Sequence, residues 1–294
     1  MIMLDQVKGG LFGVAIGDAL GGTTEFMTEQ EIKNKYGKLT EIIGGGIWHL
    51  KAGEITDDTA MTLCVAKGII ECSDDPIPHI GEEFLKWYNQ KPKDVGIIIS
   101  QVLTMFTGDW EKAAKEVHYE LSEKSAGNGS LMRCLPIALA YSDPKELEEL
   151  TVRHSKMTHY DDSAAEACLI YNRIASRLLN GDTLRHSLRE ETAGTIYEDL
   201  LTNEPDCLPD GYVVHTMKWV VHFLSNLETF EDVAVAAANK GHDTDTVAAI
   251  ACGLKGIETG YNRLPERFKE KILVKRELNQ VAIDLYDIRK GRQG

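Results

Sequence analysis

The chain has 294 residues, of which 43% are hydrophobic and 27% charged, and its formal net charge at pH 7 is -14. This composition is ordinary for a globular protein with a substantial core, and the negative charge argues against nucleic acid or an anionic membrane surface as the main partner. An anionic ligand is not excluded, because a bound divalent cation can invert the charge of a site locally.

Cysteine usage and the amino-terminal segment indicate the compartment. The six cysteines form no Cys-x-x-Cys pair, and most lie among apolar neighbours, as buried free thiols in a reducing compartment do. Residues 1–11 carry Asp5 and Lys8 and lack the apolar core and cleavage site of a signal peptide. No run of about 18 uncharged apolar residues occurs, so we expect no membrane span. The sequence predicts a cytoplasmic protein.

Helical periodicity dominates from the first residues onward. Apolar residues recur at intervals of three and four from Leu4 to Ala19. The same pattern predicts further helices over residues 59–71, 81–88, 95–106, 110–121, 131–140, 164–179, 213–224 and 246–258. Strand-like alternation is scarce, and 203–211, with two prolines, is the best candidate for a surface loop. About ten helices without a linker or repeat predict a compact all-α fold and a single domain over residues 1–294.

Two acidic motifs each precede an apolar helical run. The first is Thr56-Asp57-Asp58-Thr59, and the second is Asp243-Thr244-Asp245-Thr246. Threonine and aspartate are favoured helix caps, and acids in a first turn complement the helix dipole, so capping is one interpretation. Metal binding is the other, because carboxylates and hydroxyls are the hard oxygen ligands that Mg²⁺ or Mn²⁺ prefers. A cap needs one such side chain, whereas each motif supplies at least three.

If the two helix starts meet in space, they can hold two cations. A divalent ion lowers the pKa of bound water, orients substrate oxygens and stabilises developing charge. That chemistry applies equally well to the hydrolysis of phosphoester bonds and of glycosidic bonds. From the residues alone, the hypothesis is therefore metal-assisted hydrolysis.

With these motifs, the sequence resembles the ADP-ribosylglycohydrolase family over nearly its whole length. Five segments match in the family's order: Gly17-Asp18-Ala19-Leu20-Gly21 followed by Glu25, Thr56-Asp57-Asp58-Thr59 with Met61, Gly127-Asn128-Gly129-Ser130-Leu131-Met132-Arg133, Thr158-His159-Tyr160-Asp161, and Asp243-Thr244-Asp245-Thr246. A single tetrapeptide would be weak evidence, but five in order are highly specific.

The resemblance implies a compact orthogonal multi-helix bundle with a dinuclear Mg²⁺ or Mn²⁺ centre in a cleft that takes ADP-ribose. By matched position, the implied metal ligands are Thr56, Asp57, Asp58, Asp243, Asp245 and Thr246. Asp57, Asp58 and Glu25 are the implied catalytic acids. The segment Gly127, Asn128, Gly129 and Ser130 would hold the ligand through backbone amides, since its glycines permit close approach. His159 would contact the diphosphate or ribose.

Some features leave alternatives open. Glu25 has a plain loop acid as its other interpretation, and His242 stands where many relatives have a small residue. Trp48 and His49 either line the mouth of the cleft or pack as an ordinary loop, and the sequence favours the loop. Pro265 is followed by Glu-Arg-Phe where the family often has a tryptophan. Hydrolysis of ADP-ribosylated arginine on a protein is the leading expectation. The alternatives are serine-linked or small-molecule ADP-ribose conjugates, poly(ADP-ribose), a dinuclear nucleotide phosphohydrolase, and a silent ADP-ribose-binding relative.

Overall fold

The computed structural model describes residues 2–292, and within that range the regular structure is helical. The helices are α1 (Ile2–Gly21), α2 (Glu29–Tyr36), α3 (Asp57–Glu71), α4 (Pro76–Asn89), α5 (Ile97–Met105), α6 (Trp110–Glu120), α7 (Leu135–Ala140), α8 (Pro144–Lys156), α9 (Asp162–Leu179), α10 (Leu184–Thr192), α11 (Val213–Asn226), α12 (Phe230–Asn239), α13 (Thr244–Thr259), α14 (Glu266–Lys271) and α15 (Lys275–Gly291). Extended pairing in residues 2–292 is limited to isolated bridges such as Thr28 with Gly241. The all-α prediction is confirmed.

Periodicity predicted nine of these helices and missed six. Among those missed, α2 buries only Ile32 and is held at its start by a capping box between Thr28 and Glu31. Such a helix has no apolar stripe from which it could be predicted. In contrast, α15 does carry the regular apolar spacing, with Leu278, Val281, Ala282 and Leu285 buried, so the sequence contains the periodic pattern of this helix.

Helix α1 is the central element, and every residue from 9 to 25 is buried. One of its faces is a glycine stripe, formed by Gly9, Gly13, Gly17 and Gly21. A Cβ added to Gly13 would lie 2.0 Å from the carbonyl oxygen of Cys252, and one added to Gly17 would lie 2.2 Å from that of Ala248. Because each step of four along α1 corresponds to a step of four backward along α13, the two helices pack antiparallel with their backbones in contact.

The carboxy-terminal end of α1 therefore fixes the start of α13. A Cβ on Gly21 would lie 2.4 Å from the Thr244 carbonyl oxygen. The same end of α1 holds the start of α3, because the buried Asp18 carboxylate accepts hydrogen bonds from Thr56 N (3.0 Å) and from Thr59 N (3.0 Å) and Oγ1 (2.5 Å). One helix end thus places two helix starts side by side.

Within residues 2–292, no helix combines the length and the hydropathy that a bilayer span requires.

Candidate metal centre and ligand cleft

The two acidic motifs meet at the starts of α3 and α13. Thr246 Oγ1 lies 3.3 Å from Asp58 Oδ2, to which it donates, although the two residues are 188 positions apart. Asp58 Oδ2 also accepts from Thr56 Oγ1 at 3.1 Å. Both motifs therefore contribute to one polar cluster.

Helix capping accounts for little of this cluster. Thr56 is the N-cap of α3, and its hydroxyl accepts from Asp58 N. Asp243 is at the N-cap position of α13, but its side chain makes no capping bond. Instead, Asp243 Oδ2 accepts from Asn128 Nδ2 at 2.7 Å, and Asp57 Oδ2 accepts from Gly96 N at 3.1 Å. The carboxylates are oriented by neighbouring segments rather than used as caps.

Two carboxylate oxygens in the cluster are buried without a hydrogen-bond partner, namely Asp58 Oδ1 and Asp245 Oδ1. An unpaired buried carboxylate is costly, because the charge has lost its water and gained no donor. Asp245 also groups with Glu25 and Asp94, since one carboxylate oxygen from each lies within 4.8 Å of the others. A divalent cation is the partner that such a set of hard oxygen atoms fits.

We define the acidic cluster as Glu25, Asp57, Asp58, Asp94, Asp243 and Asp245. Burial raises the pKa of Glu25 to about 8, and the charges of Asp243 and Asp57 add to that rise, against the hydrogen bond from Trp48. Burial, with the charges of Asp57 and Glu25, raises the pKa of Asp94 to about 9.

Desolvation also raises the pKa of Asp57 to about 6 and those of Asp58 and Asp245 well above their ordinary value. The cluster thus resists carrying all its negative charge unless a cation compensates it.

The acidic cluster opens into a cleft of about 700 Å³, within the range of about 300–1,000 Å³ that small-molecule sites occupy. Its wall includes five of the six cluster carboxylates, all except Asp58. The remaining lining is partly apolar, with Phe26, Trp48, Ile97, Ile98 and Ile99. We call these apolar residues the rim of the cleft. A cleft with carboxylates on its wall and an apolar rim suits a polar ligand that carries a flat or apolar group.

The segment from Gly127 to Ser130 contributes unequally to this cleft. Gly127, Asn128 and Gly129 line it, but Ser130 is fully buried and its hydroxyl lies 2.9 Å from that of Ser155. The backbone N–H of Asn128 donates to the Gly211 carbonyl oxygen at 3.0 Å, and its side chain orients Asp243. The two glycines therefore form the part of the segment that lies open to a ligand.

His159 lies against these glycines and lines the cleft. It is 2% exposed, and burial, with the positive charge of Arg133, lowers its pKa to about 3. The imidazole is therefore uncharged at neutral pH.

The backbone is strained on both sides of the cluster. Phe26 (φ 61°) follows Glu25, and His242 (φ 62°) precedes Asp243. Both lie in the left-handed region that side chains with a Cβ rarely adopt. The two segments are joined, because Phe26 N donates to the His242 carbonyl oxygen and His242 N donates to that of Met27, each at 2.7 Å. This pairing holds Glu25 beside the start of α13.

The sequence indicated no role for Asp94, none for Asp18 beyond its place in a matched segment, and loop packing rather than a place in the cleft for Trp48. Asp94 is a lone acid in a loop, without a motif around it, and only the fold brings it to Glu25 and Asp245. Trp48 donates its indole N–H to Glu25 Oε2 at 2.5 Å. Asp18 was part of a matched segment, but its role in holding Thr56 and Thr59 depends on contacts about 40 residues apart.

This chain is similar over nearly its whole length to known proteins of one family. The family model for ADP-ribosylglycohydrolases matches residues 2–294. An ADP-ribosyl-[dinitrogen reductase] glycohydrolase of Rhodospirillum rubrum is 33% identical over 276 residues, covering 93% of this chain and 92% of that protein. An ADP-ribosylarginine hydrolase of Serratia proteamaculans is 27% identical over 301 residues, covering 96% and 79%.

A solved structure of an ADP-ribosylglycohydrolase-related protein complex superposes with a TM-score of 0.85 at 28% identity, covering 98% of this chain and 99% of that one. Fold and comparisons together define an all-α glycohydrolase. The chain belongs to the ADP-ribosylglycohydrolase family.

Proposed function

We propose that this enzyme hydrolyses the glycosidic bond between ADP-ribose and an arginine side chain of a modified protein, with divalent cations held in the acidic cluster. The observation that carries the proposal is the meeting of the two acidic helix starts, with unpaired oxygens on Asp58 and Asp245, at the wall of a ligand-sized cleft. The arginine acceptor is suggested by the names of the similar proteins, one an ADP-ribosylarginine hydrolase. It is carried over by analogy and not by site geometry.

The side chains proposed to hold two Mg²⁺ or Mn²⁺ ions are Thr56, Asp57, Asp58, Asp243, Asp245 and Thr246. Glu25 and Asp94 lie close enough to Asp245 to take part. When bound, such ions would supply a water of lowered pKa and would hold the hydroxyls of the distal ribose.

The chain's own residues orient these groups. Asn128 holds Asp243 through its side-chain amide, and Gly96 holds Asp57 through its backbone N–H. Trp48 holds Glu25 by one oxygen, Oε2, which leaves Oε1 free of that bond. Glu25 lines the cleft beside the acidic cluster, so its carboxyl group is placed to exchange a proton with the attacking water or the leaving acceptor.

The experiment is to incubate the pure protein with arginine-, serine- and glutamate-linked ADP-ribosyl substrates, with and without Mg²⁺, and to measure released ADP-ribose by chromatography. We expect Mg²⁺-dependent release from the arginine-linked substrate. Release from the serine-linked substrate instead would reassign the acceptor. Binding of ADP-ribose without release from any substrate would contradict catalysis. Asp245→Asn is the control for release by a contaminating enzyme.

A further inference from the structure

A buried arginine lies behind the ligand cleft and has neutral partners only among its recorded contacts. The Arg133 guanidinium is fully buried. Its Nε donates to His154 Nε2 at 3.1 Å, and one terminal nitrogen donates to Thr158 Oγ1 at 2.7 Å. The other terminal nitrogen faces Met61 Sδ at 3.5 Å. The guanidinium carbon also lies 4.4 Å from the centroid of the Phe84 ring, a cation–π contact that stabilises the buried charge without an ion pair.

The chemistry of the Arg133 guanidinium fixes the direction of these hydrogen bonds. A guanidinium carries donors only, so every atom it contacts must accept. Thr158 Oγ1 therefore accepts from Arg133, and its own hydroxyl hydrogen remains to be placed. Thr158 is fully buried, and the other polar atom recorded at its hydroxyl is His159 Nδ1, at 2.8 Å. Because a buried hydroxyl donor seldom stays unpaired, Thr158 donates to His159 Nδ1.

The chemistry of imidazole then decides which ring nitrogen of His159 carries the hydrogen. A neutral imidazole carries one N–H, and a nitrogen that accepts a hydrogen bond cannot carry it. With Nδ1 accepting from Thr158, the proton of His159 is on Nε2. The opposite arrangement would leave the Thr158 hydroxyl hydrogen without an acceptor in the described part of the chain.

The Nε2 atom of His159 faces the two glycines of the cleft wall. A Cβ added to Gly127 would lie 3.0 Å from His159 Nε2, and one added to Gly129 would lie 3.3 Å from the same atom. The Nε2 edge thus lies along the glycine segment of the cleft wall, where the missing side chains leave it reachable by a ligand. No protein acceptor for Nε2 is recorded in residues 2–292, so the N–H is available to a ligand oxygen.

We infer that Arg133 and Thr158 are positioning residues that fix His159 as an uncharged Nε2–H donor, which binds an acceptor oxygen of ADP-ribose in the cleft. The tautomer is a property of the free protein, whereas the ligand rests on the proposed function. In this arrangement Arg133 does not contact the ligand itself. It is connected to the ligand through the Thr158 hydroxyl and the His159 imidazole. An N–H at Nε2 favours acceptor oxygens of the ligand, because a nitrogen that carries the hydrogen has no free lone pair with which to accept a hydrogen bond.

The test is the tautomer of His159 in protein labelled with ¹⁵N-histidine, measured by long-range ¹H–¹⁵N correlation at pH 7, with His159→Gln to assign the resonance. We expect a protonated Nε2 and an unprotonated Nδ1 in the wild type. In Thr158→Val the donor to Nδ1 is lost, so we expect the Nδ1–H form to appear and the Kd for ADP-ribose to rise about tenfold. Thr158→Ser keeps the hydroxyl and should restore both.

Thr151→Val is the matched control, because Thr151 is also fully buried and its hydroxyl accepts from Asn172 at 2.9 Å. It should lower stability without changing the His159 tautomer or ADP-ribose binding. A wild-type His159 protonated on Nδ1, or a Thr158→Val variant with unchanged tautomer and Kd, would overturn the inference. If Thr158→Val does not fold, the wild-type and Thr158→Ser spectra still decide it. Wild-type protein that shows the Nε2–H form but fails to bind ADP-ribose would contradict the proposed function alone.

Discussion

Thr246 donates its hydroxyl to the Asp58 carboxylate across 3.3 Å, and this contact joins two helix starts that are 188 residues apart in the chain. Neither helix needs the other for its own capping. Their meeting concentrates carboxylates whose mutual repulsion and lost hydration oppose folding. A protein keeps such an arrangement where the charges serve chemistry, and the predictions below test that interpretation.

The first prediction concerns the cluster charges. Asp57→Asn and Asp245→Asn each keep the side-chain shape and remove a ligand charge. We expect each to lower hydrolysis by at least about 100-fold while circular dichroism stays that of the wild type. Without metal, Asp245→Asn should melt at a higher temperature than the wild type, because it relieves repulsion with Glu25 and Asp58. Wild-type turnover at low Mg²⁺ in either variant would show that these acids are not ligands.

The second prediction concerns pH in the absence of metal. The folded-state pKa values of Asp57 (about 6), Glu25 (about 8) and Asp94 (about 9) lie above the ordinary carboxyl values near 4. The native state therefore binds more protons than the unfolded state between pH of about 4 and about 9, so the free energy of unfolding falls as pH rises through that window. In EDTA, the melting temperature should decline from pH 5 to pH 9.

Saturating Mg²⁺ should flatten that decline, because the cation replaces the protons that the carboxylates otherwise retain. Asp245→Asn in EDTA should also show a shallower slope, which separates the cluster from other titrating groups. An EDTA curve that rises or stays level across this window is incompatible with the raised pKa values.

The third prediction separates ligand binding from metal binding. A Cβ on Gly129 would lie 2.8 Å from Ile99 Cδ1 and 3.0 Å from His159 Cε1, so Gly129→Val should fill the cleft wall. We expect the thermal stabilisation by ADP-ribose to be lost, while Mg²⁺ still raises the melting temperature. Gly291→Val, where the added side chain meets open space, is the control. Undiminished ADP-ribose stabilisation in Gly129→Val would remove the glycine segment from the binding site.

The fourth prediction concerns the glycine stripe of α1. Alanine has the higher helix propensity, by about 1 kcal/mol, yet Gly13→Ala would place a Cβ 2.0 Å from a carbonyl oxygen of α13. We expect Gly13→Ala to lower the free energy of unfolding by roughly 1–3 kcal/mol, measured by urea denaturation. Gly291→Ala, in open space at the end of α15, should be close to neutral. A Gly13→Ala variant as stable as the wild type would mean that α1 and α13 do not touch through their backbones.

The sequence predicted the fold class and most of the long helices, because an apolar stripe repeated every three to four residues is a local pattern. It also located both halves of the acidic cluster, since Asp57, Asp58, Asp243 and Asp245 occur in dense motifs at helix starts. Asp94 could not be found in this way, and the contact of Trp48 with Glu25 could not be inferred from the loop in which Trp48 lies. Each is a single polar or aromatic residue in a loop, and what distinguishes it is its distance to Glu25, which only tertiary structure defines.

The backbone contact between α1 and α13 has a consequence for redesign. Because the seam between them contains no side chains along the glycine stripe, the position of the α13 half of the acidic cluster relative to α1 is set by main-chain atoms. The apolar rim of the cleft comes from other segments, among them Ile97 and Ile98 at the start of α5. This part of the rim and the α13 half of the acidic cluster therefore rest on different elements. Exchanging Ile97 or Ile98 should leave the contact between α1 and α13, and with it the placement of Asp243 and Asp245, unchanged.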